Sequence, residues 1–272
     1  MGITIYRNTQ LGDVPPTPFS PLLDEDVVPK AKEALLWTGK ALGFPVGYKQ
    51  EQGGRLIQNI FPVKTTESGQ ISTSSKVELE MHTETAFHPY RPSFVLLLCL
   101  RGDSNAATTY ANDFEILSKV GAQAKRILQQ NWFTTRIDDS FRTNGEEDME
   151  IVTPVLRNLG EDKWQMTYDS FFMKAVGDGS DASLRQAESA LEEFRNAVIS
   201  STREVVLKTG DLLVINNDNT IHGRKPFQPR YDGTDRWLQR MLVVKTLPSL
   251  PNISGNVITT EFRNKKKPLV AG

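Results

Sequence analysis

The sequence has little cysteine, no long apolar run and almost no net charge, and each absence excludes a class of protein. One cysteine among 272 residues excludes an intramolecular disulfide and a cysteine-rich zinc site. The longest apolar run, Phe94 to Leu100, is far shorter than the roughly 20 residues that cross a bilayer. The net charge of -1 offers no basic field to nucleic acid or anionic lipid. We expect small-molecule partners, no nucleic acid or membrane and, since no secretion signal is visible, a cytoplasmic location.

Helices are predicted where apolar residues recur at three- and four-residue steps, which they do over residues 26–43, 112–130 and 181–201. Strands are predicted for apolar or alternating segments, at residues 93–100, 211–216 and 236–244. Strands and helices do not alternate regularly, so a β-barrel or jelly roll with inserted helices fits better than a doubly wound sheet. Two polar segments are predicted to be an exposed loop (144–150) and a solvated tail (265–267).

Histidine is scarce as well, and two of the three histidines lie in contexts typical of metal ligands. His82 and Glu84 are separated by one residue, so on an extended backbone both side chains point to the same face. An imidazole and a carboxylate are two ligands of a 2-His-1-carboxylate triad, which leaves one side of an Fe(II) ion open. His222, just after a predicted strand, would supply the third ligand. His88 is interpreted as a structural histidine or as one that contacts a metal-binding residue.

Two arginines downstream of His222 indicate an anion site. Arg236 and Arg240 have an even spacing, so on an extended strand they share a face. An inward guanidinium needs an anionic partner and binds carboxylates well, so a dicarboxylic cosubstrate and a substrate carboxylate would satisfy both. Two alternatives stay open. The arginines could lie on an exposed edge strand, and the His-Glu-His set could hold catalytic zinc, although zinc gives Arg236 no role.

Three stretches of the sequence together resemble one family of oxygenases. They are residues 82–92, from His82-Thr83-Glu84 onward, residues 98–101, and residues 222–237, from His222-Gly223-Arg224 onward. In this order they are similar to the clavaminate synthase-like branch of the Fe(II)/2-oxoglutarate-dependent oxygenases, in the TauD-like superfamily. Within it they most resemble hydroxylases of free amino acids such as arginine and asparagine. The resemblance runs from about Arg55 to Val244. It implies a mainly β fold with helical insertions around a double-stranded β-helix (jelly-roll, cupin-like) core.

The resemblance also implies roles for individual residues. His82, Glu84 and His222 would hold Fe(II) and form the catalytic centre. Arg236 would bind the distal carboxylate of 2-oxoglutarate, assisted by Thr109. The implied substrate residues are Arg240 for the α-carboxylate, Gln58 near the amino group, and Ser74, Asp169 and Phe171 along the pocket.

Two departures from the family pattern bear on the substrate. His82 comes early, so we expect one domain over residues 1–272 with a shortened N-terminal region 1–50, a core over about 55–246 and a tail over 247–272. Family members that bind a guanidinium carry two acidic residues where this chain has Asp169 and Phe171. We therefore expect a more apolar pocket that takes a less basic amino acid or a derivative of one.

The implied activity is that of a dioxygenase that uses Fe(II), 2-oxoglutarate and O2. It would hydroxylate an unactivated C–H bond of a free amino acid or small amino-acid-derived metabolite, in natural-product (antibiotic) biosynthesis. Desaturation or oxidative cyclisation by the same site is the alternative within the class. A non-catalytic jelly-roll binding protein is the alternative outside it, although such a protein would be expected to have lost a metal ligand or Arg236. Glu84 argues against a halogenase, because halogenases that resemble this family have a small non-coordinating residue there.

Overall fold

The computed structural model of the protein describes residues 2–20, 26–138, 141, 149–161 and 163–260. Within these residues the chain forms four α-helices: α1 (Pro29–Leu42), α2 (Asp113–Leu117), α3 (Ala122–Leu128) and α4 (Asp181–Ser201). Short 3-10 turns occupy Gln52–Gly54 and Lys64–Thr66. No helix in these described ranges is long and apolar enough to span a membrane.

The strands of the described residues form four sheets. The eight-stranded sheet contains β1 (Ile3–Tyr6), β2 (Phe44–Tyr48), β3 (Ile57–Ile60), β5 (Phe94–Arg101), β13 (Leu212–Asn216), β15 (Trp237–Val244), β16 (Ile253–Ser254) and β17 (Val257–Ile258). The four-stranded sheet contains β4 (Leu79–His82), β6 (Thr108–Asn112), β12 (Arg203–Val205) and β14 (Thr220–Arg224). The two smaller sheets contain β7 (Phe133–Arg136), β8 (Glu150–Thr153) and β11 (Lys174–Ala175), and β9 (Leu156–Asn158) with β10 (Trp164–Met166).

The eight-stranded sheet has the order β1-β13-β5-β15-β2-β17-β16, with β3 also paired to β15. Its central strand β5 is apolar at almost every position because both of its faces are covered. Leu97 and Cys99 belong to the cluster between the sheets, whereas Leu96 and Leu98 pack on the other face with Leu35 of α1. Helix α1 therefore covers the outside of this sheet.

The four-stranded sheet has the order β12-β6-β14-β4. Ala111 of β6 and Ile221 of β14 are fully buried in a cluster with Leu191 and Phe194 of α4, so helices cover the outer face of this sheet too. The inner faces of the two sheets enclose a cavity, described below. Two main sheets, antiparallel except for the parallel pair of β2 and β17, with helices on the outside make the double-stranded β-helix that the resemblance implies.

Most predicted elements are confirmed, with boundaries that shift slightly. Helix α4 covers the predicted residues, and Ser180 caps it by accepting a hydrogen bond from the Ser183 N–H. Helix α1 begins at Pro29, because proline suits the first turn, and ends before Gly43. The strands predicted at 93–100, 211–216 and 236–244 are β5, β13 and β15.

One predicted helix, residues 112–130, is wrong as a continuous element. Asn112 is the last residue of β6, where it pairs with Thr220, and the segment then forms two separate helices, α2 and α3. The extended backbone of Gly121, at φ -67° and ψ 158°, separates the two. Of the two predicted polar segments, residues 144–148 and 265–267 lie outside the described residues, and Glu150 begins a strand rather than ending a loop.

Candidate active site

The two candidate histidines lie on neighbouring strands of the four-stranded sheet. His82 ends β4, His222 lies in the middle of β14, and the antiparallel register places them opposite each other. Their ring centroids are 4.6 Å apart. Side chains alternate along a strand, so both rings point inward whereas Met81 and Ile221 point to the helix layer. Strand pairing thus joins residues that are distant in sequence.

Glu84 reaches the histidines from a turn rather than from a strand. Strand β4 ends at His82, and the chain turns over residues 84–87, with Thr85 at φ 48°. The side chains of His82 and Glu84 converge as predicted, with Glu84 at the start of the turn rather than within the strand. The buried Asn217 holds the turn: its Oδ1 accepts from the Glu84 N–H at 2.8 Å, and its Nδ2 donates to the Glu84 carbonyl at 3.1 Å. No motif in the sequence singles out Asn217, and its only signal is the asparagine-rich segment 216–219.

The three side chains offer one ligand atom each, all within 4.8 Å of one another. His222 Nε2 lies 3.6 Å from Glu84 Oε2. His82 Nδ1 lies 2.7 Å from the Glu80 carbonyl, and a proton on Nδ1 that is donated to this carbonyl leaves Nε2 free to bind a metal. Two imidazole nitrogens and a carboxylate oxygen suit Fe(II) in a facial triad, and the same donors also suit Zn²⁺.

The surroundings keep Glu84 and His222 in the protonation states that bind a metal. Burial raises the pKa of Glu84, but the Arg240 guanidinium and the two histidines outweigh it, so this pKa lies well below its usual range. Burial lowers the pKa of His222, and its hydrogen bond with Glu84 opposes this only in part. At neutral pH the carboxyl group is ionised and the His222 imidazole is neutral, as metal coordination requires.

A cavity of about 260 Å³ opens in front of the triad, between the two main sheets. This volume is near the lower end of the range for small-molecule sites. Leu97 and Leu238 line it from the eight-stranded sheet, and Thr108 from the four-stranded sheet. The cavity walls include seven predicted site residues: His82, Glu84, His222, Arg236, Arg240, Asp169 and Phe171. The cavity walls do not include Gln58, Ser74 and Thr109.

Arg240 forms one end of the cavity, and two nearby carboxylates balance its positive charge. Arg240 Nη1 donates to Glu84 Oε1 at 2.8 Å, and Nη2 donates to Glu51 Oε1 at 3.0 Å. Its Nε donates to Gln58 Oε1 at 2.8 Å. Burial lowers the pKa of Arg240, but the carboxylates of Glu51 and Glu84 raise it above its ordinary value. Gln58, predicted to lie near a substrate amino group, instead supports Arg240 from behind the cavity wall.

Arg236 lines the cavity four residues before Arg240, about 13 Å away on an extended strand, so it marks the other end, where positive charge has no acidic partner. Arg236 is buried and forms no ion pair with any residue in the described parts of the chain. Burial lowers its pKa to about 10. Arg224 lines the same end, where burial and the neighbouring Arg236 lower its pKa to about 9. Two buried guanidinium groups without acids make a site that favours a dianion.

Ser74 and Thr109 lie outside the cavity wall, where their side chains contact other residues of the protein. Arg224 donates to the Ser74 carbonyl at 2.6 Å and to Ser74 Oγ at 3.1 Å, so this serine fixes an arginine instead of lining the pocket. Thr109 Oγ1 donates to Met81 Sδ at 3.3 Å on the helix side of the sheet. Because strand side chains alternate, Thr108 is the threonine that faces the cavity.

The wall beside the triad is more acidic than the sequence predicts. Asp169 Oδ1 accepts from the N–H groups of Phe171 at 2.9 Å and Phe172 at 2.8 Å, and burial raises the pKa of its carboxyl group. Asp138 lines the same wall, and burial followed by the charge of Asp169 raises its pKa well above the ordinary value. Phe171 lines the cavity and is 57% exposed. Asp138 supplies a second acid to this wall from a distant segment, which the sequence pattern does not indicate.

The chain is similar to a known protein family, to curated proteins and to solved structures. Residues 23–242 match the taurine catabolism dioxygenase TauD, TfdA family. Enduracididine beta-hydroxylase of Streptomyces hygroscopicus is 33% identical over 222 residues, which is 76% of this chain and 64% of that protein. The chain thus spans slightly less than two thirds of the length of this relative.

Two solved structures are also similar to the chain. Asparagine oxygenase in complex with Fe(II), 2S,3S-3-hydroxyasparagine and succinate has a TM-score of 0.80 and 31% identity, covering 90% of this chain and 74% of that one. The non-heme iron oxygenase OrfP in complex with Fe and alpha-ketoglutaric acid has a TM-score of 0.79 and 33% identity, covering 91% of this chain and 76% of that one.

Proposed function

Because the chain belongs to the taurine catabolism dioxygenase TauD, TfdA family, we propose that it is an Fe(II)- and 2-oxoglutarate-dependent dioxygenase that hydroxylates a free amino acid or a small amino-acid-derived metabolite. The observation that carries this proposal is one cavity lined by the His-Glu-His cluster, by an arginine paired with two carboxylates and by an arginine without an acidic partner among the described residues. The structures of asparagine oxygenase and OrfP, with Fe and succinate or alpha-ketoglutaric acid, support the same chemistry.

His82, Glu84 and His222 would hold the iron from one side, with the cavity on the other. The Glu80 carbonyl orients His82, and Asn217 orients the backbone of Glu84, so two ligands are fixed before any metal binds. When bound, iron and 2-oxoglutarate supply activation of O2 coupled to decarboxylation of 2-oxoglutarate to succinate. The chain contributes binding, orientation and exclusion of water.

The cosubstrate would lie at the end of the cavity that lacks acidic partners. Arg236 would pair with the distal carboxylate of 2-oxoglutarate, and Thr108, which replaces the predicted Thr109, would donate a hydrogen bond beside it. Zinc hydrolysis gives this arginine no role, and a non-catalytic binding protein would not need the full metal cluster.

The substrate would lie at the Arg240 end, with its α-carboxylate on that guanidinium. Gln58 would keep Arg240 in place, and Asp169 and Phe171 would contact the rest of the substrate. The acidic wall of Asp138 and Asp169 favours a side chain that donates hydrogen bonds. Enduracididine beta-hydroxylase and asparagine oxygenase are named for substrates of this kind.

We treat residues 1–272 as one oxygenase domain that acts in natural-product biosynthesis in the cytoplasm. The net charge of -1 and the single buried cysteine support small-molecule partners and a reducing compartment.

The test is amino-acid-dependent succinate release by the iron-loaded protein. L-Arginine, L-lysine and L-asparagine form the first panel, each with 2-oxoglutarate and O2. We expect at least one of them to raise succinate release above the background without substrate. A product heavier by one oxygen atom indicates hydroxylation, and one lighter by two hydrogens indicates desaturation or cyclisation. A panel without any stimulation would remove the amino-acid assignment.

A further inference from the structure

Helix α1 carries a large aromatic side chain on its outer face, which the proposed reaction does not use. Trp37 is 77% exposed, although tryptophan is among the side chains that gain most from leaving water. On the opposite face of α1, Ala31 and Leu35 are fully buried and pack on the eight-stranded sheet. No residue of α1 lines the cavity between the two main sheets. Trp37 therefore serves neither the core nor the candidate active site.

Two charged residues flank Trp37 on the same face of the helix. Glu33 lies four residues before it and Lys40 three residues after it, and both are exposed. Since an α-helix turns about 100° and rises about 1.5 Å per residue, both charged residues lie within about 60° of Trp37 around the axis and to the same side of it. Neither has an ion-pair partner within the described residues. The face presents an acid, an aromatic ring and a base in a row.

A second copy of the chain matches this order of charges when the two helices run antiparallel. A twofold axis at Trp37 places Glu33 of each copy at the level of Lys40 of the other, with an offset of about 1.5 Å along the helix and on the same side of the tryptophan pair. The contact then holds two ion pairs and a buried aromatic pair. Parallel helices would instead bring each charged residue against its own copy, and such like charges repel. The face is therefore complementary to itself in the antiparallel orientation.

A second exposed aromatic residue, on the other helix layer, lacks this property. Phe114 of α2 is 82% exposed. Its neighbour Glu115 already pairs with Arg203, and Lys119 donates to the Ser200 carbonyl at 2.6 Å. These charges have their partners within the chain, so they do not indicate a partner for Phe114.

We propose that the outer face of α1 is the interface of a homodimer, in which Trp37 packs against its own copy across a twofold axis and Glu33 pairs with Lys40 at both ends. A central tryptophan is a typical hot spot, and the flanking charges set the orientation of the two copies. A contact through one helix is smaller than the roughly 1,600 Å² of a standard interface, so we expect the dimer to dissociate at micromolar concentrations. The cavity lies on the other side of the sheet, so the inference is independent of the proposed reaction.

The experiment measures the mass of the protein by sedimentation velocity over a range of micromolar concentrations. The variants are Trp37→Ser, Glu33→Lys, Lys40→Glu and the double variant that carries both charge reversals. The controls are Phe114→Ser and Glu188→Lys, on exposed sides of α2 and α4. All of these substitutions replace exposed side chains, and a melting temperature near that of the wild type, measured by circular dichroism, shows that each variant is folded.

The wild-type protein should change from one chain to two as its concentration rises. Trp37→Ser removes the central ring from both sides of the contact, so it should weaken dimerisation about thirtyfold or more, the loss typical of a hot spot. Each single charge reversal places like charges at both ends and should weaken dimerisation about tenfold or more. The double variant, and an equimolar mixture of the two single variants, restore opposite charges and should return to within about threefold of the wild-type dissociation constant. The controls should match the wild type.

Several results would overturn the inference. A wild-type protein that stays a single chain at all these concentrations would exclude the dimer, and the face would then serve a different partner or none. A dimer that Trp37→Ser does not weaken would place the contact elsewhere. A double variant as weak as the single variants would exclude the antiparallel pairing. An equal loss for Phe114→Ser would indicate nonspecific association of exposed aromatic residues. Succinate release tests the proposed function separately and is not affected by any of these outcomes.

Discussion

Arg236 and Arg240 lie at opposite ends of one cavity, the first just before β15 and the second within it, and both are buried. Arg240 is paired with Glu51 and Glu84, whereas Arg236 has no acidic partner among the described residues. A paired arginine can accept a zwitterion by exchange of partners. An unpaired one awaits a ligand with net negative charge. In the function proposed above, this difference would place the amino acid at the Arg240 end and the dicarboxylate at the Arg236 end.

The largest expected effect concerns the proposed iron site, His82, Glu84 and His222, which lies on the wall of the same cavity. His82→Ala or His222→Ala removes a ligand atom, so iron affinity should fall by at least about a hundredfold and succinate formation should be lost. Equilibrium dialysis with Fe(II) under anaerobic conditions measures the affinity. His88→Gln is the matched control, because burial lowers the pKa of His88 to about 3 and this histidine does not line the cavity. Full iron binding by either alanine variant would show that the substituted histidine is not an iron ligand.

The next largest effect is expected at the Arg236 end of the cavity, where the described residues offer no acidic partner. Arg236→Met removes the cation proposed for the distal carboxylate of 2-oxoglutarate, so the Michaelis constant for 2-oxoglutarate should rise about thirtyfold or more, equivalent to about 2 kcal/mol or more. The Michaelis constant for the amino acid should change little. Steady-state kinetics with each component varied in turn give both numbers. An unchanged dependence on 2-oxoglutarate would place the cosubstrate elsewhere.

An arginine-to-methionine substitution at the Arg240 end should affect the amino acid more than 2-oxoglutarate. Arg240→Met removes the α-carboxylate partner, so the Michaelis constant for the amino acid should rise by about tenfold or more. Succinate should then form without an equal amount of oxidised product, because the substrate is held less firmly. The ratio of succinate to product, compared between Arg240→Met and Arg236→Met, measures this uncoupling. Equal ratios in both variants would erase the proposed division of the cavity.

The smallest effect distinguishes two adjacent threonines of β6. Thr108→Val removes a hydroxyl that faces the cavity, and a net loss of about 1 kcal/mol for one hydrogen bond should raise the Michaelis constant for 2-oxoglutarate about fivefold. Thr109→Val is the control, since Thr109 Oγ1 contacts Met81 on the other face of the strand. A larger effect at Thr109 would restore the family-based assignment.

The sequence was sufficient for the parts of the molecule that depend on pattern. The spacing of apolar residues located α4 and the central strands, and the His-x-Glu motif with a later histidine located three groups that converge within 4.8 Å. Strand parity was the weak point. The resemblance implies Thr109, but a shift of one residue moves a side chain to the other face of a sheet, and it is Thr108 that faces the cavity.

Other parts of the site depend on turns, which leave little pattern in a sequence. Glu51 is directed to Arg240 by three consecutive left-handed residues, and Asp138 meets Asp169 from a distant segment. Asn217 acts through its side-chain amide on the backbone of Glu84, so nothing in its local sequence indicates the contact. The break between α2 and α3 includes Gly121, whose low helix propensity and extended backbone interrupt the helix although the apolar spacing continues past it.

The most direct test of the charge difference between the two ends is the stability of the metal-free protein to denaturant. Arg240→Met leaves Glu51 and Glu84 buried without their cation, so the free energy of unfolding should fall by about 3–5 kcal/mol. Arg236→Met removes a buried cation that has no acidic partner, so the free energy of unfolding should stay the same or rise. Equal losses in both variants, or a larger loss for Arg236→Met, would contradict the account.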